Sequence, residues 1–334
     1  MTVRITNGDV MDGKIALEEH FNLPEFADSL PQYVEPRTMR EIEHRLLDLG
    51  AMRLEEMDAA GIELSVLSLT APGVQAETDP RRAVTLAKKT NDTLAEVVRE
   101  HPDRYAGLAA LPLQDPPAAA DELERCATEL GFRGALVNGF TNLGDAATGW
   151  YYDHERFLPF WERAEALGLP VYLHPRDPLP GNQGSYEGHP ELLGAVWSFT
   201  VETATHALRL MTSGLFDRFP GLTVILGHLG ETLPFTMWRI EHRVSFMGDL
   251  RKFRRPLSDY LLTNFYVTTS GDFRTQALVA TLSELGADRV LFSSDYPYES
   301  MREAADWFDH SAISENDRVK IGRTNALRLF RLKK

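Results

Sequence analysis

ERFLPFWERAEALGLPVYLHP, residues 155–175, sets a helix and a strand almost end to end. The amphipathic part stops at Gly168, a residue type that ends helices. PVYLHP (170–175) is then a short, continuously apolar run. A half-exposed strand alternates apolar with polar residues, whereas a strand without alternation belongs in a parallel sheet covered on both faces. The run closes on His174, an imidazole that is costly to bury without a partner.

Working outward in both directions, the same unit recurs. Upstream lie KIALE (14–18), ELSVLSL (63–69), YAGLAALP (105–112) and RGALVNGF (133–140); downstream lie TVILGH (223–228), NFYVTTS (264–270) and RVLFSSD (289–295). Between them, PRRAVTLAKKTNDTLAEVVREHPDR (80–104) puts Val84, Ala87, Leu94 and Val98 on one helical stripe, and PPAAADELERCATELGFRG (116–134) and DFRTQALVATLSELGADR (272–289) repeat the helix-to-glycine pattern. Eight strand–helix units predict a (β/α)8 TIM barrel rather than an open doubly wound sheet, and no Gly-rich dinucleotide fingerprint follows any strand. The expectation is one barrel domain over residues 1–334, with a short N-terminal extension (1–13) and insertions after strands one (22–62) and five (176–196). Both insertions would lie over the C-terminal mouth, where barrel enzymes keep their active sites.

Composition narrows the partners. With 35 basic and 49 acidic residues the net charge is −14, which argues against nucleic acid or an anionic membrane as the main partner. The single cysteine, Cys126, excludes disulfide scaffolds and thiolate zinc sites within the chain and reads as a buried, inert thiol. Residues 1–13 contain no apolar signal region, and no apolar run approaches the ~18 residues of a membrane span, so the expected location is the cytoplasm.

The chemistry sits where the strands stop. KIALEEHF (14–21) runs an apolar strand into Glu18, Glu19 and His20; strands five, six and eight end at His174, His228 and Asp295. Glu18 and His20 are two apart, so a regular strand aims both to one side and Glu19 to the other. Singly, each has an ordinary explanation as a hydrogen-bonded rim residue, an ion-pair partner or a turn aspartate. Jointly, four C-terminal strand ends with metal-competent groups predict one divalent cation above the barrel centre. His228 lies in GHLGE, one helical turn from Glu231, which could orient the imidazole or simply favour a helix N-terminus. The remaining histidines read as surface residues or, for His189 and His206, stay unassigned.

The segments KIALEEHF, RLLDLGAMRLEEMDAAGIE, AALPLQDP, GALVNGF, YLHPRDPLP, ALRLMTSGLFDRFPGLTVILGHLGETLP, TTSGDFRTQ, LFSSDYPYE and DRVKIGRTNALRLF resemble, in order, the decarboxylase branch of the amidohydrolase superfamily. The resemblance runs from about residue 14 to 332, and His20 in the E-E-H-F motif favours the γ-resorcylate type. It implies that Glu18, His20, His174 and Asp295 ligate one Zn2+ or Mn2+, with no organic cofactor. Asn138, where binuclear members carry a bridging lysine, argues for a single metal. Asp295, with His228 and Glu231, would carry catalysis.

Arg239 and Arg53 match positions that contact a substrate carboxylate in related decarboxylases, in some across a subunit boundary; Asn138, Tyr33 and Tyr298, with Tyr296, would border the substrate. The implied reaction is nonoxidative decarboxylation of a small aromatic carboxylate, 2,6-dihydroxybenzoate to resorcinol and CO2, reversible with bicarbonate, in a homo-oligomer (dimer or tetramer). The competing readings are another ortho-hydroxybenzoate (2,3-dihydroxybenzoate, salicylate, 5-carboxyvanillate), a mononuclear hydrolase or lactonase, and a binding barrel without turnover.

Overall fold

The structure, a computed structural model, describes residues 11–30 and 33–332; the first ten residues of the expected extension lie outside it. Its strands are β1 (Lys14–Phe21), β2 (Ile62–Leu69), β3 (Tyr105–Gly107), β4 (Ala109–Ala110), β5 (Ala135–Asn138), β6 (Thr141–Leu143), β7 (Asp145–Trp150), β8 (Val171–His174), β9 (Val224–Leu226), β10 (Phe265–Thr268) and β11 (Val290–Leu291). Strands β1-β2-β3 and β4-β5-β8-β9-β10-β11 form two parallel runs, and β6-β7 is a separate antiparallel hairpin.

Two local features join the runs into a ring. The segment read as the third strand breaks at Leu108, whose amide donates to Leu67 O (2.9 Å) while the next amide, Ala109, donates to Gly134 O (2.9 Å). One segment thus leaves β2 and joins the strand beyond. At the other seam Leu17 bridges Ser293 in parallel, with Leu17 N on Phe292 O (3.2 Å) and His20 N on Tyr296 O (2.7 Å). The result is the eight-stranded (β/α)8 barrel that the alternation predicts.

Side-chain parity divides the core. Ile15, Leu17, Val66, Leu136, Tyr172, Ile225, Tyr266 and Leu291 pack together inside the ring, floored by Ala326 and Phe330 from the C-terminal helix Asn325–Leu329 and its end. Their neighbours of opposite parity, such as Ala16, Leu67, Val137, Leu173, Val267 and Phe292, face the outer helices in a second, larger cluster. At the start of β1, Lys14 Nζ meets Asp309 Oδ2 at 2.9 Å, both side chains buried.

The helix Pro80–Glu100 forms as the stripe predicts, started by Asp79, whose Oδ1 accepts from Arg81 N at 2.8 Å. Its buried line is Ala83, Ala87, Asn91 and Leu94, so Val84 and Val98 sit at the edge of the stripe rather than its centre. Cys126 is buried in the helix Pro116–Thr128, and burial pushes its thiol up, in accord with an inert role. No described helix is long and apolar enough to cross a membrane.

The first insertion contains a short 3-10 turn, Pro24–Ser29, and two helices, Pro36–Leu47 and Ala51–Ala59. Asp48 Oδ1 accepts from Gly50 N (3.2 Å) and Arg53 N (3.1 Å), ending one helix and starting the next. The second insertion is a series of short turns, and the two meet where Tyr33 lies against Gly194, its ring edge-on to Phe199 (5.9 Å) in the helix Ser198–Thr212 that follows. A side chain at Gly194 would strike the Tyr33 ring, its Cβ at 2.9 Å.

Candidate metal centre

The inward parity of Ile15 and Leu17 should carry Glu19 inside and leave Glu18 and His20 outside. The strand prevents this with a bulge. Glu18 adopts φ +57°, and the pairing with β2 shifts between Ala16 and Glu19. Beyond the bulge Glu18 and His20 point into the barrel mouth and Glu19 outward. His228 (φ +49°) and Asp295 (φ +71°) hold the same left-handed conformation, which costs a non-glycine residue roughly 1 kcal/mol or more each. Such strain gathered at the ends of ligand-bearing strands marks a site the rest of the fold over-determines.

Glu18, His20, His174 and Asp295 each offer one atom, and the four atoms lie within 4.8 Å of one another. His174 Nε2 is 3.3 Å from Glu18 Oε1, and His20 Nε2 is 3.4 Å from Asp295 Oδ1. Glu18 Oε1 and His20 Nε2 are buried without a hydrogen-bond partner among the described residues. Unpartnered polar atoms of this kind are expensive unless something cationic sits between them. Two carboxylates and two imidazoles at these spacings fit a cation bound at ~2.0–2.2 Å and neutralise its charge. The residues present therefore fit one divalent metal ion.

Glu18 Oε2 is held from behind. Tyr172 Oη and Ser270 Oγ both donate to it, Thr268 Oγ1 lies 3.3 Å away, and Tyr172 and Thr268 hydroxyls are 2.9 Å apart. Ser68 Oγ sits 3.3 Å from His20 Nδ1, leaving Nε2 for the mouth. Sequence reasoning missed these hydroxyls. The available signal was Thr268 and Ser270 in NFYVTTS, two apart on the inward face of an otherwise apolar strand. Removing one should loosen the carboxylate: Ser270→Ala is expected to weaken Mn2+ binding by roughly tenfold in isothermal titration calorimetry. An unchanged Kd would show that Glu18 needs no such support.

The site's charges are strongly biased. Burial lifts the Glu18 carboxyl and drives His174 well below its ordinary value. Burial would also lower His228, but the Glu231 and Glu18 carboxylates outweigh it and hold the imidazole well above the usual range; Glu231 Oε1 lies 2.8 Å from Nδ1. His228 Nε2 thus faces the ligand set as a donor, 3.7 Å from Asp295 Oδ2 and 4.0 Å from Glu18 Oε1. Burial raises Asp295, yet the neighbouring imidazoles of His20 and His228 prevail and bring it to about 2.

The other expected site residues divide. Tyr298 is at the mouth, its ring 5.9 Å from His20 and its hydroxyl 2.7 Å from Thr70 Oγ1. Asn138 is buried at the end of β5, opposite His174 in the ladder. Arg53 does not reach the open side of the ligand set. It is fully enclosed, its guanidinium donating to the carbonyls of His20 (2.6 Å), Asp48 (3.0 Å) and Arg45 (3.2 Å). Its donors hold the backbone of His20. Tyr33, 44% exposed, packs on the second insertion, while Arg239 is exposed on the helix Leu233–Val244, outside the cluster.

The family model for amidohydrolases matches residues 20–332. A γ-resorcylate decarboxylase of Rhizobium sp. (strain MTP-10005) is 54% identical over 324 residues, 96% of this chain and 99% of that protein. The structure of a 2,6-dihydroxybenzoate decarboxylase complexed with 2,6-dihydroxybenzoate superposes with a TM-score of 0.94 at 54% identity, covering 96% of this chain and all (100%) of the other. A dihydroxybenzoic acid decarboxylase from Polaromonas sp. JS666, with bound manganese and the inhibitor 2-nitroresorcinol, gives 0.94 at 52% identity over 96% and 97% of the two chains.

Proposed function

This chain belongs to the amidohydrolase family, and from that premise we propose that it is a metal-dependent carboxy-lyase converting 2,6-dihydroxybenzoate to resorcinol and CO2. One observation carries the reading. Glu18, His20, His174 and Asp295 converge within 4.8 Å at the mouth of a barrel that matches a decarboxylase of that substrate over 96% of this chain.

The roles follow from charge and position. A divalent cation held by the four residues supplies positive charge against a phenolate and a carboxylate oxygen of the bound substrate. Asp295 gives a proton to the ring carbon that bears the carboxylate; the ring loses aromaticity, the carbon–carbon bond breaks, its electron pair restores the ring, and CO2 leaves. Because the free Asp295 is held near 2, its proton arrives with the substrate, from the phenol. His228, kept charged by Glu231, turns its Nε2–H toward the anions gathered there. Tyr298 and Asn138 border the ring.

Mn2+ and Zn2+ both suit this donor set, and the manganese of the Polaromonas relative makes Mn2+ the first to supply. We also read the chain as a homo-oligomer, a dimer or tetramer. Phe235, Trp238 and Phe246 are 85%, 74% and 69% exposed on and just after the helix that carries Arg239, an apolar surface that a second copy would cover. Arg239 then serves a substrate carboxylate from that boundary.

The test is an ultraviolet assay of purified protein, with Mn2+ and separately Zn2+, on 2,6-dihydroxybenzoate. Resorcinol appearing one for one with substrate loss is the expected result; an unchanged spectrum with either metal overturns the assignment.

A further inference from the structure

Glu19 is the one ionisable residue of EEH that the reaction does not use. It is fully buried. Its partner is the residue before Asp295: Ser294 donates its amide to Oε1 at 3.0 Å and its hydroxyl to the same carboxylate at 2.7 and 2.9 Å.

The place matters as much as the bonds. The seam between β1 and the chain after β11 is the thinnest joint of the barrel, with a single bridge at Leu17–Ser293. Its backbone hydrogen bonds, Leu17 N to Phe292 O (3.2 Å) and His20 N to Tyr296 O (2.7 Å), stand on either side of a gap. Side chains span the gap: Ser293 Oγ donates to Leu17 O, and Glu19 takes both donors of Ser294. Across this same seam His20 and Asp295 come within 3.4 Å. The bulge that turns Glu18 and His20 inward is also what turns Glu19 outward onto Ser294.

We propose that Glu19 is a positioning residue that sets Asp295 against Glu18 and His20 by clamping Ser294 across the barrel seam. The inference rests on Asp295 being both ligand and proton donor, as read above. A β-ladder would fix the spacing of two strand ends with backbone bonds. Here the left-handed turns at Glu18 and Asp295 interrupt the ladder, and a carboxylate takes over that task from the outer face.

The holoprotein and its Glu19→Ala, Glu19→Gln and Ser294→Ala variants test this with two readouts, Mn2+ affinity by calorimetry and the kcat and KM of resorcinol formation. Glu19→Ala is expected to weaken Mn2+ binding by roughly 10-fold or more and to lower kcat by about 10–100-fold with little change in KM. Glu19→Gln, whose amide oxygen can accept the same donors, restores both to within about threefold of the parent. Ser294→Ala keeps the amide donor and loses less, and the double variant is no worse than Glu19→Ala alone, because the two act as one unit.

A merely structural Glu19 would lower Tm while leaving Mn2+ affinity and kcat within about twofold; that result overturns the proposal, as do fully additive losses. Should Glu19→Ala fail to fold, Ser294→Ala and Glu19→Gln carry the test: unchanged Mn2+ affinity and kcat in Ser294→Ala reject the clamp. Affinity needs no substrate. A parent that binds Mn2+ but releases no resorcinol therefore removes the assigned reaction without touching the affinity series.

Discussion

Asp295→Asn is expected to lower turnover of 2,6-dihydroxybenzoate by roughly 10^2–10^4-fold, the usual loss when a positioned proton donor is removed. The amide keeps the shape of the carboxyl and an oxygen able to face the ligand set, so substrate binding should fall far less than kcat. His228 Nε2, 3.7 Å from the carboxylate, would still face an oxygen in the variant. Steady-state kinetics, with metal content measured on the same sample, separates the two effects. Near-parent kcat with full metal would remove Asp295 from the proton transfer.

Stripping the metal should have a larger effect still. After dialysis against a chelator, resorcinol formation is expected to fall below detection and to return on adding Mn2+ or Zn2+, the more effective ion identifying the better match. Stability should fall with it. Glu18 and His20 are fully buried beside Asp295, and without a cation Glu18 Oε1 and His20 Nε2 are left without a partner. A ligand at a hundredfold excess over its Kd contributes about 2.7 kcal/mol to the folded state, so the metal-free protein should melt several degrees lower by calorimetry. Full turnover after verified removal of metal would overturn the site.

The barrel was legible because its strands are continuous apolar runs, and the centre because those runs stop at ionisable residues. His174 shows this best: its strand keeps regular parity, so Tyr172 and His174 both point inward as the spacing requires. Glu18 shows the limit. The expected outcome, Glu18 and His20 on one face and Glu19 on the other, holds only because a bulge reverses the parity set by Ile15 and Leu17. No glycine announces that bulge, so nothing in the pattern locates it.

The β6-β7 hairpin escaped for a different reason. TNLGDAATGW is polar, and its turn is built by Asp145 accepting from Ala147 N (2.8 Å) and Thr148 N (2.7 Å), not by an apolar period. At Arg53 a sequence shows a guanidinium but not the carbonyls of His20, Asp48 and Arg45 to which it donates.

The packed interior of the barrel governs traffic. Side chains from β1, β2, β5, β8, β9, β10 and β11 fill the ring, and Ala326 and Phe330 close its floor, so the interior offers no through-passage. Substrate, resorcinol and CO2 must share one doorway, beside the two insertions that meet at Tyr33. A gas molecule freed at the ligand set leaves by the route the next substrate needs to enter. Changes at the Tyr33–Phe199 contact should therefore alter the rate of exchange with solvent before they alter the chemistry beneath it.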